Sequence, residues 1–107
     1  MSSNKRYTLP RQFILKKKSD IEKVFQLGRK YSTPCLNIFV YPSQQTRVAF
    51  LVNKKIGKAY QRNKMKRLVR EAYRLHQHHF QGKEVIFYIR HYRDDFHGIV
   101  EQIKIAC

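Results

Sequence analysis

The sequence predicts an α+β fold, a single-domain, two-layer α-β sandwich whose elements follow the order α-β-β-α-β-α. Apolar residues recur at helical spacing in one long segment, whereas three shorter runs are rich in β-branched and aromatic side chains. The predicted helices cover 20–27, 58–78 and a segment that follows Asp94 or Asp95, and the predicted strands cover 29–41, 47–52 and 84–89. A chain of 107 residues suffices for one domain, 1–107, but not for two.

The chain begins with a basic arm, 1–18, that contains lysines and arginines but no acid. Pro10 prevents a long helix in this arm because proline cannot continue the helical hydrogen bonds. We therefore expect an extended segment that Phe13 and Leu15 anchor in part against the rest of the domain.

The first helix is predicted to begin at a capping box and to end at a glycine. Ser19 and Glu22 fit the S-x-x-E pattern in which each side chain satisfies a free backbone donor. Gly28 follows the last apolar residue of the helix, as is common at helix ends.

The strands predict a small sheet with one crossover connection. Residues 29–41 read as a strand that is interrupted near Pro34, and 42–45 form a turn. Residues 47–52 are nearly continuously apolar, which predicts a central strand. If 47–52 and 84–89 are parallel neighbours, the long helix between them makes a β-α-β crossover.

The long helix has one apolar face and one cationic face. Met65, Leu68, Val69, Ala72 and Tyr73 recur at i, i+3, i+4, i+7 and i+8 and fall within an arc of about 140°. The other side carries Asn63, Lys66, Arg67, Arg70 and Arg74. One face is therefore predicted to enter a core, while the other displays a row of positive groups.

This charge pattern favours a polyanion as the partner of the helix. An ordinary solvated helix face mixes signs and gains from acid–base pairs one turn apart. Here Glu71 is the single acid between Asn53 and Arg74, and the whole chain carries a formal net charge of +16 with a pI of about 10.3. Such a balance is typical of nucleic-acid-binding domains, and a guanidinium matches a phosphate with two hydrogen bonds.

Other classes of protein find less support in the sequence. No apolar run is long enough to span a membrane and no signal-peptide pattern is present, so we expect a cytoplasmic protein. So basic a chain could still bind a membrane surface, but the basic helix lacks the wide apolar face that would insert among lipid headgroups, so no membrane partner is expected. Cys35 and Cys107 are the only cysteines and are predicted to be reduced thiols.

Neither a metal site nor a catalytic site emerges from the polar residues. His76, His78 and His79 are close in sequence, but no cysteine or carboxylate is placed to complete a site, so exposed histidines are the favoured interpretation. The acids do not form the converging group that a metal-dependent nuclease needs, and no nucleophile motif is present. We therefore assign no catalytic and no metal-binding residue.

The segment Lys54 to Glu71, K-K-I-G-K-A-x-x-R-N-K-x-K-R-x-x-R-E, closely resembles the signature of the bacterial ribonuclease P protein subunit. Leu15 to Gly28 is similar to the first helix of that family, and Arg90 matches a basic residue that follows the last strand. The resemblance extends over about residues 9–105.

The resemblance implies a fold, an activity and partners. The fold is an α+β domain with a left-handed crossover, against the usual handedness. The family's proteins assist a catalytic RNA subunit, which uses Mg²⁺ bound mainly by that RNA, in removing the 5′ leader of precursor tRNA. The protein is accordingly expected to be a subunit of an endoribonuclease, inactive by itself. A structural RNA-binding protein of ribosomal type remains the alternative.

The resemblance also implies roles for individual residues. Those expected to bind the catalytic RNA are Arg62, Asn63, Lys64, Lys66, Arg67 and Arg70. Those expected to line or border a cleft for the leader are Ile21, Phe25, Phe39, Lys54, Lys58 and Arg90. An aromatic floor with a basic rim would bind a single strand with little sequence preference.

Three positions depart from the family pattern. Ile14 stands where the family usually has arginine, and Ile21 stands where it usually has phenylalanine, so one stacking platform is lost. Phe39 replaces a tyrosine of some members. These departures affect the leader cleft more than the basic helix.

Overall fold

A computed structural model describes residues 14–107 of the chain. Most of the predicted basic arm, including Pro10 and Phe13, lies outside the described residues. At the end of the arm, Leu15 is buried and its backbone N–H donates to the carbonyl of Val48 at 2.8 Å. The predicted anchoring role of Leu15 is therefore confirmed.

The described residues form three α-helices and four strands. In chain order they are α1 (Lys18–Leu27), β1 (Arg29–Ser32), β2 (Leu36–Pro42), β3 (Arg47–Val52), α2 (Ala59–His76), β4 (Lys83–Ile89) and α3 (Phe96–Lys104), with a 3-10 turn at Gln77–Phe80 between α2 and β4. The predicted α+β class and order are confirmed, and the interruption near Pro34 divides segment 29–41 into β1 and β2. None of the helices in the described part of the chain is both long and apolar enough to cross a membrane.

The strands form one mixed sheet in the order β1-β2-β4-β3. The pairs β1–β2 and β2–β4 are antiparallel, whereas β3 and β4 are parallel and are connected by α2. The predicted β-α-β crossover is thus confirmed. That the crossover is left-handed remains an expectation from the family resemblance.

The predicted central position of 47–52 is wrong, because β3 lies at an edge of the sheet. The strand is apolar because it contributes to the apolar clusters on both faces of the sheet, with Val48 on one face and Ala49 on the other, so burial alone does not require a strand neighbour on each side. Ile14 also bridges Val48 in parallel fashion and covers part of this edge.

The two faces of the sheet have separate apolar clusters because strand side chains alternate between faces. On one face, α2 and α3 pack over residues such as Ile38, Phe87 and Val48. On the other face, α1 packs over Ile86 and Ala49 through Val24. Two helices therefore cover the first face, and one short helix covers part of the second.

The predicted start of the first helix is wrong by two residues. The helix α1 begins at Lys18, so Ser19 lies inside its first turn, and no side chain caps the N-terminus at Lys17. Gly28 ends the helix as predicted, and a Cβ at this position would meet the carbonyl oxygen of Val24 at 2.5 Å.

The observed boundaries of α2 and α3 lie close to those that the sequence predicts. Of the two acids predicted to precede α3, Asp95 is the one that caps it, since its side chain accepts a hydrogen bond from the backbone N–H of Gly98 at 3.1 Å. The long helix ends at His76, two residues before the predicted end, and continues as the 3-10 turn. Gly82 adopts a φ of 73°, which glycine allows without strain, and redirects the chain into β4. Cys35 and Cys107 are free thiols, as predicted.

Candidate nucleic-acid interface

The apolar face of α2 packs into the core and its cationic face lies toward solvent, as the sequence predicts. Met65, Val69, Ala72 and Tyr73 are buried, and Leu68 is half-buried at the edge of the core. The cationic residues consequently lie on the solvent side of the helix, where a large ligand can reach them. The structure keeps all six residues expected to bind catalytic RNA on this one element.

Three of these cations have no carboxylate partner among residues 14–107. Arg67 is exposed, and Lys66 is half-buried. The guanidinium of Arg70 lies over the ring of Phe50, with 5.5 Å between its central carbon and the ring centroid. This contact fixes the direction of the side chain and leaves its hydrogen-bond donors available.

Two other cations of the set have partners inside the domain. Arg62 donates from Nη1 to the carbonyl oxygens of Ile56 and Gly57, each at 3.0 Å, and so holds the loop before α2 in place. Lys64 Nζ lies 2.7 Å from Asp94 Oδ2. Its hydrogen bond to Asp94 raises the pKa of Lys64. Both groups of that pair are well exposed, so the pair adds little to stability.

Arg74 also differs from the rest of the row because it pairs with Glu71. This hydrogen bond lowers the pKa of the Glu71 carboxyl. The only acid of the helix is therefore held as a carboxylate beside an arginine, whose charge offsets its own.

A second surface lies on the opposite face of the sheet, beside α1. Ile21, Phe25 and Phe39 come together there, as expected for the leader cleft, and all three are half-buried. The rings of Phe25 and Phe39 meet edge to face, with centroids 4.7 Å apart and an interplanar angle of 79°. This geometry is the favourable one for two aromatic rings and leaves part of each ring accessible.

The strand register extends this surface beyond the residues predicted from the sequence. Residues directly opposite each other in paired strands share a face. Phe39, Ile86 and Ala49 form one row across the sheet under α1, and Asn37, Tyr88 and Leu51 form the next row. The second row is half-buried, so it continues the floor of the cleft past the helix.

Sequence reasoning missed Asn37, Tyr88 and Leu51 because their common position depends on the pairing of three strands. Only the alternation in β4, which places Tyr88 on the same side as Ile86, was visible in the sequence. Lys30 pairs with Phe39 from β1 and adds a cation to the same floor.

The basic residues expected at the rim lie at the end of the floor nearest the second row. Lys54 follows β3 and Arg90 follows β4, and the carboxyl ends of parallel strands meet at one edge. The backbone N–H of Asn53 donates to the carbonyl of Ile89 at 2.9 Å, which ties the two ends together. Lys58 lies farther along the same loop, immediately before α2, with an exposed side chain.

Arg90 is positioned by the turn between β1 and β2. Its Nη2 donates to the carbonyl oxygen of Thr33 and, at 3.3 Å, to that of Pro34. Arg90 also borders a surface pocket of about 330 Å³ together with Lys55 and Tyr92. The guanidinium is thus fixed beside a pocket that opens next to the rim.

The described residues bring no three of His, Cys, Asp or Glu together in a way that could hold a metal ion. His76, His78 and His79 lie near one another, with ring centroids 4.0 to 6.5 Å apart. Partial desolvation, followed by the charges of His78 and His76, lowers the pKa of His79. The donor set does not suit Mg²⁺, which prefers carboxylate and water oxygens, so we derive no step through a protein-bound ion.

Comparison with known proteins gives consistent results. The family model described as ribonuclease P matches residues 9–106. The chain is 39% identical over 88 residues to the ribonuclease P protein component of Natranaerobius thermophilus, covering 78% of this chain and 76% of that protein. It is 40% identical over 76 residues to the component of Desulfovibrio desulfuricans, covering 67% of this chain and 58% of that protein. It is 44% identical over 73 residues to that of Dictyoglomus turgidum, covering 65% of this chain and 60% of that protein. The chain thus spans about three-fifths of the length of the last two relatives.

Solved structures show the same fold. A mutant RNase P protein of Staphylococcus aureus superposes with a TM-score of 0.75 at 24% identity, covering 88% of this chain and 87% of that one. The RNase P protein of Thermotoga maritima gives 0.72 at 23% identity, with 87% and 93% covered. Together with the family match over nearly the whole described domain, these results show that the chain belongs to the ribonuclease P protein family.

Proposed function

We propose that this protein is the protein subunit of ribonuclease P in the cytoplasm. It binds the catalytic RNA through α2 and the 5′ leader of precursor tRNA in the cleft beside α1. In this way it assists endonucleolytic removal of the leader and gives the mature 5′ end. Family membership argues against the alternative of a structural RNA-binding protein of ribosomal type.

The observation that carries the proposal is the exposed face of α2. Lys66, Arg67 and Arg70 have no carboxylate partner within residues 14–107, and they lie away from the buried face of α2 that Met65, Val69, Ala72 and Tyr73 form. Like charges on one rigid surface repel one another, and a polyanion that docks there removes this repulsion. Each phosphate that is neutralised also releases counterions, which drives binding at low salt.

The cleft supports the second half of the proposal. Phe25 and Phe39 offer accessible ring surface, and bases stack on aromatic rings without regard to sequence. Lys54, Lys58 and Arg90 would neutralise the leader's phosphates at the rim. A site of this kind suits leaders that differ in sequence from one precursor to the next.

The chemistry of cleavage is assigned to the RNA partner. Mg²⁺ would be held mainly by that RNA. The ion would activate the nucleophile and stabilise the leaving oxygen. The protein's own residues then have binding and orienting roles: they raise the affinity for leader-bearing substrate and place the leader. The isolated protein should accordingly cleave no precursor tRNA, whereas the mixture with catalytic RNA at low Mg²⁺ should.

The decisive experiment removes at once two arginines that have no carboxylate partner among the described residues. Arg67→Ala combined with Arg70→Ala should weaken binding to the catalytic RNA at least tenfold in a filter-binding titration. The log–log salt dependence should also fall by about one to two, since each lost phosphate contact removes roughly 0.7 to 0.9 from the slope. If about six phosphates are engaged in single-stranded RNA, the wild-type slope itself is near −4.

A charge-matched control separates the α2 surface from general attraction. Lys83→Ala combined with Lys104→Ala removes the same charge near the other end of the domain and should change the affinity little. The thermal midpoint of both double variants should stay close to that of the wild type. Wild-type affinity of the arginine variant, or equal losses in both variants, would contradict the proposal.

A further inference from the structure

A pocket of about 290 Å³ lies between α2 and α3, on the face of the sheet opposite the leader cleft. The lining residues are Lys64, Arg67, Leu68, Arg70, Glu71 and Phe96. Leu68 and Phe96 are half-buried and pack at the margin of the main core, so each presents the rest of its apolar surface to the pocket. The pocket therefore has an apolar floor within a charged rim.

The charges of this rim are unbalanced in favour of the cations. The carboxylate of Glu71 pairs with Arg74, and Asp94 pairs with Lys64 at 2.7 Å. Arg67 has no ion-pair partner among the described residues and is exposed. Its guanidinium is therefore available to an anion that stands at the mouth of the pocket.

The size and chemistry of the pocket fit one nucleotide. Its volume is at the lower end of the range for small-molecule sites, which suits one flat ring system better than a peptide helix. A base has two apolar faces and carries a phosphate on its sugar, which complements an apolar floor beside a guanidinium. Proteins that recognise RNA commonly take unpaired bases out of the stack and place them against aromatic rings.

We propose that the α2–α3 pocket binds one unpaired base of the RNA that docks on α2. Phe96 and Leu68 contact the base, and Arg67 binds an adjoining phosphate. The inference rests on the proposed function and adds to it a contact of a different kind. Phosphate contacts position an RNA, whereas a base contact selects a site where a base is free to leave its stack.

The test replaces the ring without removing the apolar side chain. Phe96→Leu should weaken binding of the catalytic RNA by about tenfold, within the range for loss of one stacked base. The salt slope should stay at the wild-type value because no phosphate contact is lost, in contrast to Arg67→Ala. Leu68→Val, which shortens the opposite wall of the pocket, should give a smaller loss with the same unchanged slope.

Tyr31→Leu is the matched control, since Tyr31 is also half-buried against the main core and also lies beside an arginine. It should bind the RNA as the wild type does. Chemical probing of base edges in the RNA should further show a base that wild-type protein protects and Phe96→Leu exposes.

The outcomes separate this inference from the proposed function. If wild-type protein fails to bind the catalytic RNA, the proposed function itself is refuted. If the wild type binds and the arginine variants weaken binding, but Phe96→Leu and Leu68→Val retain full affinity, only the base pocket is refuted. If Phe96→Leu instead changes self-association in sedimentation and leaves RNA binding unchanged, the pocket is an interface between copies and the inference is overturned.

Discussion

The two faces of the sheet differ in how much core they contain. Among the described residues, 17 buried residues lie in the cluster under α2 and α3, but only four lie in the cluster under α1. The first face is therefore the stable foundation of the domain. The second face has little buried area to hold its helix, and aromatic and apolar side chains remain half-exposed beside it.

This difference suits the two surfaces to the different ligands that we propose for them. A helix held by a large core can keep repelling cations in fixed positions, because its packing energy exceeds the cost of their repulsion. A helix held by a small cluster leaves a groove at its side, where rings are accessible to stacked bases. Charge dominates the first surface and ring contact dominates the second.

An ionic network compensates in part for the small cluster under α1. Arg47 donates to Oε2 of Glu84 at 2.6 Å, and its other amino group lies 3.7 Å from Oδ2 of Asp20 on α1. Glu84 is 1% exposed, and its second oxygen is buried without a hydrogen-bond partner in the described structure. The network connects α1 to the two strands beneath it.

The largest effect should follow from removing the arginine of this network. Arg47→Ala leaves the carboxylate of Glu84 buried and unpaired, and it should lower the free energy of unfolding by about 3–5 kcal/mol in a urea titration. Arg47→Met combined with Glu84→Leu removes both charges and should restore most of that loss. If the single and double variants are equally unstable, the network does not act through charge pairing, and the contrast between the faces must rest on apolar packing alone.

A smaller effect is expected when the accessible ring of the cleft is removed. Phe25→Ala should lower affinity for leader-bearing precursor tRNA about five- to 150-fold, which corresponds to loss of one stacked base, and change affinity for mature tRNA much less. Binding of the protein to the catalytic RNA should remain at the wild-type level, which controls for folding. Equal losses for both tRNA forms would show that the cleft does not bind the leader.

The smallest effect concerns the half-buried Glu71–Arg74 pair on α2, and it has a predicted pH dependence. Because Arg74 lowers the pKa of Glu71 in the folded state, the pair stabilises the protein above the unfolded pKa and loses this contribution as the pH falls through the folded pKa. Glu71→Gln should therefore cost no more than about 0.5 kcal/mol at pH 7, given solvent screening, and this cost should shrink as the pH falls through the folded pKa of Glu71. A loss that stays constant as the pH is lowered would mean that Glu71 acts through packing.

Much of the fold was predictable because its signals are local. The spacing of Met65, Val69 and Ala72 fixes which side of α2 is buried, and Asp95 stands where a cap is needed for α3. The capping box at Ser19 failed although it was also a local signal. The bridge of Ile14 and the burial of Leu15 hold the preceding chain against β3, and the helix begins two residues earlier than the side-chain pattern suggests.

The candidate site was predictable to a lesser extent. The density of cations on α2 and the motif around Arg62 and Arg70 predict a surface for RNA without any structure. The motif cannot show that Arg62 is turned toward the carbonyls of its own loop, or that Lys64 is paired with Asp94. Those partners are distant in sequence, and no periodicity relates them.

The sequence by itself determined the helices, the strands, the cationic face of α2 and the family. Each of these depends on residues within a few turns or strand positions of one another, where backbone geometry alone relates the side chains. Only the tertiary structure decided that β3 is an edge strand, that Asn37, Tyr88 and Leu51 share a floor, and that Leu68 and Phe96 enclose a pocket. Strand order and helix packing depend on contacts between distant segments, and many arrangements bury the same apolar residues equally well.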